Sequence, residues 1–169
     1  TMKENYEDKY EYIFPEITLD KNLFNDEKFG SLELLSNLKV RSYDTNKFEN
    51  FFVNDFNWES KNKIFKSGFD SRILGNLKNI NYETKNIDLY KKEPTSEIYG
   101  ALGYLSELDL VKRYKNSIHK LKPKLFFRYA PGNMRKEDDG FRLDPNNAFN
   151  INRINNTNNF EAGLSSTVG

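Results

Sequence analysis

The chain has 169 residues, enough for one domain with a substantial core, yet only 37% of its residues are apolar. Aromatic residues make up 15% of it, and disordered chains are usually poor in aromatics, so we expect sheets that bury one face. A net charge of +1 argues against a general attraction to nucleic acid or acidic lipid. The absence of cysteine excludes a disulfide framework and Cys-ligated zinc.

The N-terminal third predicts three strands, over 10–19, 31–43 and 47–59, from weak alternation of apolar and polar residues. Short polar turns at 44–46 and 60–62 follow the second and third of them. No run approaches the roughly 20 apolar residues of a membrane helix, and no signal peptide is visible.

Residues 65–78 show the clearest two-residue alternation in the chain. One side of this predicted strand carries Phe65, Ser67, Phe69, Ser71, Ile73, Gly75 and Leu77. The other side carries Lys66, Gly68, Asp70, Arg72, Leu74, Asn76 and Lys78. A helix would scatter these charges around its circumference, whereas a strand collects nearly all of them on one side.

The second half repeats this pattern. Strands are predicted over 98–108, 124–129 and 160–168, with a weaker one over 147–154. Longer polar connections run through 84–96, 111–120 and 131–146. A short helix over 106–114 is the competing interpretation, because Ser106 and Asp109 could form a capping box.

The predicted fold class is therefore all-β, an antiparallel meander of about eight strands without a domain boundary. The predicted strands 47–59 and 63–82 exceed the usual 5–6 residues, and membrane-barrel strands need about 9–11 residues to cross. We expect residues 1–169 to be a single segment of a large transmembrane outer-membrane β-barrel, incomplete at both ends. A soluble barrel would place its apolar side inward, and alternation alone does not separate the two.

Candidate chemistry is sparse. His119, the only histidine, falls in a predicted loop without metal-ligand spacing, and a Ser-His hydrolase would need it on a strand beside a serine. Asp138-Asp139 lack the alternating oxygen ligands of a calcium loop, and Gly100 and Gly103 precede no helix that could bind phosphate. We therefore predict no catalytic residue, no metal site and no cofactor: the protein is expected not to be an enzyme.

The C-terminal third carries a family resemblance. Residues 121–131, with Pro123, Tyr129 and Pro131, follow the pattern LxPxLxxxYxP. Downstream, Asn152-Arg153 followed by Glu161 and Gly163 is similar in order and spacing to NRxxGxDRxExG, although asparagines replace the Asp-Arg pair and the first glycine. These motifs resemble the lipopolysaccharide (LPS)-assembly outer-membrane protein family (LptD, also called OstA). The likeness is specific over 121–169 and looser over 30–110.

This resemblance implies a transmembrane barrel of the cell outer membrane that transports LPS and inserts it into the outer leaflet. It implies an LptE-like lipoprotein and a periplasmic LPS-transport bridge as partners. It implies no catalysed reaction, and no nucleic-acid partner is expected. The polar side of the strands would then line the lumen, through Lys66, Asp70, Arg72, Lys78, Lys124 and Arg128. The alternatives are a generic outer-membrane channel or receptor barrel and a soluble β-sheet binding module. A hydrolase of the outer-membrane lipase type is more distant.

Overall fold

A computed structural model describes residues 12–43, 46–134, 143–153, 157 and 159–169, which form ten strands and no helix. No helix that could cross a membrane occurs within these ranges. The strands are β1 (Tyr12–Asp26), β2 (Gly30–Tyr43), β3 (Lys47–Glu59), β4 (Lys63–Ile64), β5 (Phe69–Lys85), β6 (Thr95–Leu108), β7 (Leu110–Arg113), β8 (Ile118–Leu121), β9 (Lys124–Ala130) and β10 (Gly163–Val168).

Eight strands form one sheet in the order β1-β2-β3-β5-β6-β9-β10, with β4 paired to the start of β5. The pairings of this sheet are antiparallel. β7 and β8 pair only with each other, as a separate hairpin between β6 and β9. Among the described residues β1 and β10 are the edges and do not pair with each other, so the sheet is open. The all-β antiparallel prediction is confirmed, whereas closure into a barrel is not observed.

The central strands are long. β2, β3, β5 and β6 contain 14, 13, 17 and 14 residues. At roughly 3.3 Å per residue, each is more than twice the length of a typical strand in a globular protein. Strands predicted over 47–59, 98–108 and 124–129 correspond closely to β3, β6 and β9. The predicted turn at 44–46 lies partly outside the described residues.

Two predicted strands need correction. The strand expected over 65–78 begins only at Phe69, because Phe65 and Gly68 close a turn in which Gly68 has a φ of +88°. Lys66 therefore lies in this turn and not on the polar side of a strand. The strand expected over 147–154 is wrong over its described part. The carboxylate of Asp144 accepts hydrogen bonds from the backbone of Asn146 and Asn147, which starts a series of turns.

The competing helix over 106–114 is also wrong. Residues up to Leu108 pair within β6, and Ser106 Oγ accepts a hydrogen bond from the Ser71 hydroxyl across the sheet instead of capping a helix. The predicted polar connection over 111–120 contains most of the β7–β8 hairpin, which places His119 on a strand. Short strands rich in lysine carry too weak an alternation to be recognised from the sequence.

The buried apolar side chains of the sheet lie on one of its faces. One cluster joins Phe51, Val53, Ile80 and Tyr82 of the central strands to Tyr90 from the β5–β6 connection. Two further clusters join β5, β6 and β9 to side chains of the segment between β9 and β10. The core is therefore a layer of connecting chain packed on a single sheet.

Candidate functional site

The registers divide the sheet into two faces. Residues that pair directly share a face, so Ile73, Tyr104 and Phe127 lie in one row of what we call the open face. Its large apolar side chains remain exposed: Ile73 at 46%, Leu102 at 64% and Leu164 at 79%. Contiguous apolar surface of this kind on a folded protein marks an interaction site.

A groove of about 560 Å³ lies in the middle of the open face. Its floor is formed at Gly75 and Gly100, which have no side chains of their own above the strands. Its walls are apolar and partly aromatic, and they come from Leu32, Phe56, Trp58, Leu77, Leu102, Tyr129 and Pro131. The groove can accept an apolar chain, whereas a charged group would be poorly solvated there.

Polar side chains on β2, β3 and β5 interrupt the apolar open face. Ser36 donates its hydroxyl hydrogen bond to Asn54 Oδ1 at 2.6 Å, and the Asn79 amide donates to Ser96 Oγ at 3.2 Å. Asn54 and Asn79 pair directly across β3 and β5. On β5 the open face is therefore mostly apolar from Phe69 to Leu77 and polar beyond Asn79, although β5 continues to Lys85.

The opposite face, the covered face, is partly buried beneath the strap, by which we mean the described residues 143–153, 157 and 159–162. Phe149 and Ile151 of the strap pack on Leu74, Leu105 and Phe126. Phe160 is fully buried against Ala101 and Ala130, and its ring stacks on Tyr99 with centroids 5.9 Å apart. The strap thus crosses several strands of the sheet.

Arg128 of β9 anchors the strap through backbone groups. Its side chain is 1% exposed, and it donates hydrogen bonds to the carbonyls of Ile151 at 2.6 Å and Glu161 at 2.8 Å. The guanidinium also lies 5.1 Å from the centre of the Phe160 ring, within the range of a cation–π interaction. One side chain therefore holds two separate points of the strap against the sheet.

A second buried cation, Lys78, lies on the same face. Its ammonium forms an ion pair with Asp55 Oδ2 at 3.1 Å, and the lysine is only 1% exposed. Asp55 also accepts hydrogen bonds from Asn76 and from Asn152 of the strap. Ion pairs taken out of water are tolerated only with such supporting hydrogen bonds.

Arg153 and Glu161 pair within the strap. Arg153 Nε and Nη2 donate to the two carboxylate oxygens at 2.6 and 2.5 Å, and Nη1 donates to Thr167 Oγ1 of β10 at 3.2 Å. This bidentate contact holds the pKa of Glu161 below its usual value, despite an opposing effect of partial burial. The pair ties the strap to the edge strand.

Five of the six polar residues singled out in the sequence lie on the covered face. Direct pairing groups Asp70 with Glu107 and Lys124, and Lys124 Nζ is 3.0 Å from Glu107 Oε1. Arg72, Lys78 and Arg128 share this face by register. Lys66 does not, because it precedes the strand in the turn described above.

The residues of the sequence signature lie around β9, β10 and the strap, on both faces of the sheet. The carbonyl of Pro123 accepts a hydrogen bond from Leu108 N, and Tyr129 and Pro131 line the groove of the open face. Asn152, Arg153 and Glu161 are the strap residues already described, and Gly163 begins β10 with a φ of +109°. That φ favours glycine.

Several functional contacts were missed by the sequence analysis, notably Asp55 and Phe160. Their partners are far away in the chain, and periodicity reports only local structure. Phe149 and Phe160 within an asparagine-rich stretch were the available signal, since isolated aromatics in polar sequence need a packing partner. They were interpreted as strand residues instead.

His119 lies on β8, so the expected loop position is wrong. Its Nε2 is 3.3 Å from Ser117 Oγ, and its ring packs edge-on against Tyr114 on the exposed hairpin. The cross-strand partner of His119 is Lys112, a cation, whereas a catalytic histidine is oriented by a carboxylate. Over the described ranges, no group of three or more His, Cys, Asp or Glu side chains could hold a metal ion. Asp138-Asp139 lie outside the described residues.

The chain matches no protein-family model, no curated protein and no solved structure.

Proposed function

We propose that the chain forms part of the wall of a transmembrane β-barrel of the outer membrane, and that this barrel transports LPS to the outer leaflet. The observation that carries the first part is the inverted polarity of the sheet. Its exposed face is apolar, while buried cations and carboxylates lie on the covered face. A soluble sheet would expose the polar face, so lipid is the environment that suits this arrangement.

Strand length and the polar side chains of the open face support the same proposal. The open face of β5 is mostly apolar over the nine residues from Phe69 to Leu77, close to the 9–11 that a tilted strand needs to cross a bilayer. On β3 and β5, Asn54 and Asn79 then supply polar side chains of the kind expected at a membrane surface. In a bilayer the free edges of β1 and β10 require partner strands, because unpaired backbone groups are costly in hydrocarbon.

The LPS cargo rests on the motif resemblance over 121–169 and receives support from charge. LPS carries phosphates, and Arg72 and Lys124 on the covered face remain 30% and 36% exposed at their side chains while paired with the carboxylates of Glu59 and Glu107. Such cations favour a phosphorylated lipid passing along this face. The proposal includes an LptE-like lipoprotein and a periplasmic transport bridge as partners. A generic outer-membrane channel is the second candidate, because the same sheet polarity suits it.

The single tryptophan tests the membrane-wall proposal directly. Trp58 lies on the open face at the groove, so it should lie near acyl chains. In proteoliposomes containing acyl-brominated phosphatidylcholine, Trp58 fluorescence should be strongly quenched. Unchanged fluorescence in the brominated vesicles would contradict the proposal and favour the soluble binding module.

Cysteine accessibility tests the membrane-wall proposal and the LPS-transport proposal separately. The chain has no cysteine, so Arg72→Cys and Ile73→Cys place unique thiols on opposite faces of β5. A membrane-impermeant thiol reagent should modify the first variant in proteoliposomes and spare the second. Added LPS should then protect Arg72→Cys from the reagent. If the two thiols differ in accessibility but LPS does not protect Arg72→Cys, LPS transport would be refuted and the membrane-wall proposal would stand.

A further inference from the structure

The β7–β8 hairpin stands apart from the sheet. Its two strands contact each other and no other strand, and all eight of their residues are exposed. A tight turn from Tyr114 to Ser117 joins them through a backbone hydrogen bond of 2.8 Å. Nothing in the described fold uses this element, although it has a defined antiparallel register.

The hairpin is basic and carries exposed apolar residues. Four cations, Lys112, Arg113, Lys115 and Lys120, form no ion pair with any described residue. Lys122 at its base is neutralised by Glu107, at 2.8 Å. Interleaved with the cations are exposed apolar side chains: Leu110, Val111, Tyr114, Ile118 and Leu121.

A second basic connection lies at the same end of the sheet. Residues 60–68 precede β5, whose first residue Phe69 pairs with Leu108, the last residue of β6 before the hairpin. This connection exposes Ile64 at 75% and carries Lys63 and Lys66. At the opposite end, the β5–β6 connection instead mixes two lysines with two acids over 88–93. Of these three connections, the two at the hairpin end therefore carry the excess of cations.

We propose that the β7–β8 hairpin docks on the anionic headgroups of the membrane that the sheet crosses. This inference rests on the proposed membrane wall and adds an interface that the strand pattern does not require. Cations attract lipid phosphates within a Debye length, and apolar side chains beside them enter the headgroup region. The hairpin follows directly after the apolar part of β6, where a strand leaving the bilayer would meet these headgroups.

A unique label at the hairpin tip tests the docking. Asn116→Cys, coupled to an environment-sensitive fluorophore, reports the polarity around the turn in a chain that has no other cysteine. The label should shift to the blue in vesicles of phosphatidylcholine with phosphatidylglycerol, and not in phosphatidylcholine alone. High salt should reverse the shift, and inorganic phosphate at matched ionic strength should not produce it.

Charge neutralisation provides the matched comparison. Changing Lys112, Arg113 and Lys120 to Gln should weaken the response to phosphatidylglycerol by about a hundredfold, since each cation near an anionic surface contributes about fivefold. Changing Lys85, Lys91 and Lys92 to Gln removes the same charge from exposed positions at the opposite end, and should leave the response unchanged. Equal losses in both variants would overturn the docking, because a general charge effect would then explain them.

Trp58 quenching in the same vesicles separates the two proposals. If Trp58 is quenched but the emission of the hairpin label does not change with phosphatidylglycerol, the hairpin inference is overturned and the membrane-wall proposal is unaffected. Quenched Trp58 with a label that responds to phosphatidylglycerol supports both. Unquenched Trp58 overturns the membrane wall, and with it the inference that the hairpin docks beside a membrane-crossing sheet.

Discussion

The two faces of the sheet are built from the same strands but bury and expose different kinds of side chain. The covered face buries Lys78 and Arg128, and every such cation has carboxylate, carbonyl or aromatic partners nearby. The open face instead leaves large apolar side chains exposed and has almost no charge to satisfy. Alternation along a single strand therefore encodes two environments, and substitutions on opposite sides of one strand should have opposite sensitivities.

The largest effect is expected at the buried ion pair. Asp55→Ala would leave the Lys78 ammonium without the carboxylate now 3.1 Å away, which should lower the free energy of unfolding by about 3–5 kcal/mol. Urea unfolding in detergent measures this loss. Asn54→Ala, one residue away on the open face, should cost about 1 kcal/mol or less. The double variant Asp55→Ala/Lys78→Met should be less destabilised than the sum of the single variants. Additive losses would contradict a direct pairing.

The next effect concerns charge on the open face. Phe127→Arg would place a cation beside Tyr104 and the edge strand β10. Near the midplane of a bilayer, this cation should make the free energy of membrane insertion less favourable by about 2–4 kcal/mol. Arg72→Ala on the covered face should change membrane insertion by less than about 1 kcal/mol, since its ion pair with Glu59 is partly exposed. Folding titrations into vesicles measure both. Similar costs for the two variants would reverse the assignment of lipid and water to the faces.

A smaller effect distinguishes two glycines of β6. A methyl group at Gly103 would meet Phe126 at 2.7 Å and Ile151 of the strap at 3.0 Å, so Gly103→Ala should cost about 1–3 kcal/mol. At Gly100, on the open face, the nearest atom is 3.7 Å away, and Gly100→Ala should be nearly neutral. Unfolding midpoints of the two variants give the comparison. A neutral Gly103→Ala would mean that the strap does not pack on β6.

The smallest effect is a dependence of strap docking on pH. Arg153 lowers the pKa of Glu161 in the folded state, so the pair stabilises the fold above the ordinary pKa of glutamate. That contribution, about 1 kcal/mol for a partly exposed pair, is lost as the pH falls through the lowered pKa. Glu161→Gln should remove this part of the pH dependence. Unfolding titrations at several pH values measure it, and an unchanged slope in the variant would contradict the pairing.

The strands could be predicted from sequence where both faces contribute to the pattern. β6 alternates clearly from Ile98 to Leu108, and the polar turns on either side of 47–59 set the bounds of β3 although its alternation is weak. The start of β5 could not be predicted, since the left-handed conformation of Gly68 interrupts an alternation that continues through the turn. The alternation therefore assigns Lys66 to the polar face, whereas in the structure Lys66 lies in the turn before β5.

The strap could not be predicted because its contacts are not local. Phe149 and Ile151 alternate like strand residues, yet the turn at Asp144 directs them onto β5 and β9 instead of into a ladder. Arg128 was singled out as polar, but its role depends on two carbonyls that are 23 and 33 residues away. Periodicity identifies which side chains share a face and carries no information about what covers that face.

The strap also bears on the order in which the chain folds. β5 and β6 meet across a connection of nine residues, whereas Ala130 and Gly163 are paired although 32 residues separate them. Closing the longer loop costs more chain entropy before any contact compensates it, so β10 should join after the sheet from β2 to β6 has formed. Arg128 would then stabilise the docked strap only in this last step of folding. It is carried by β9, yet its hydrogen bonds exist only once the returning chain has arrived.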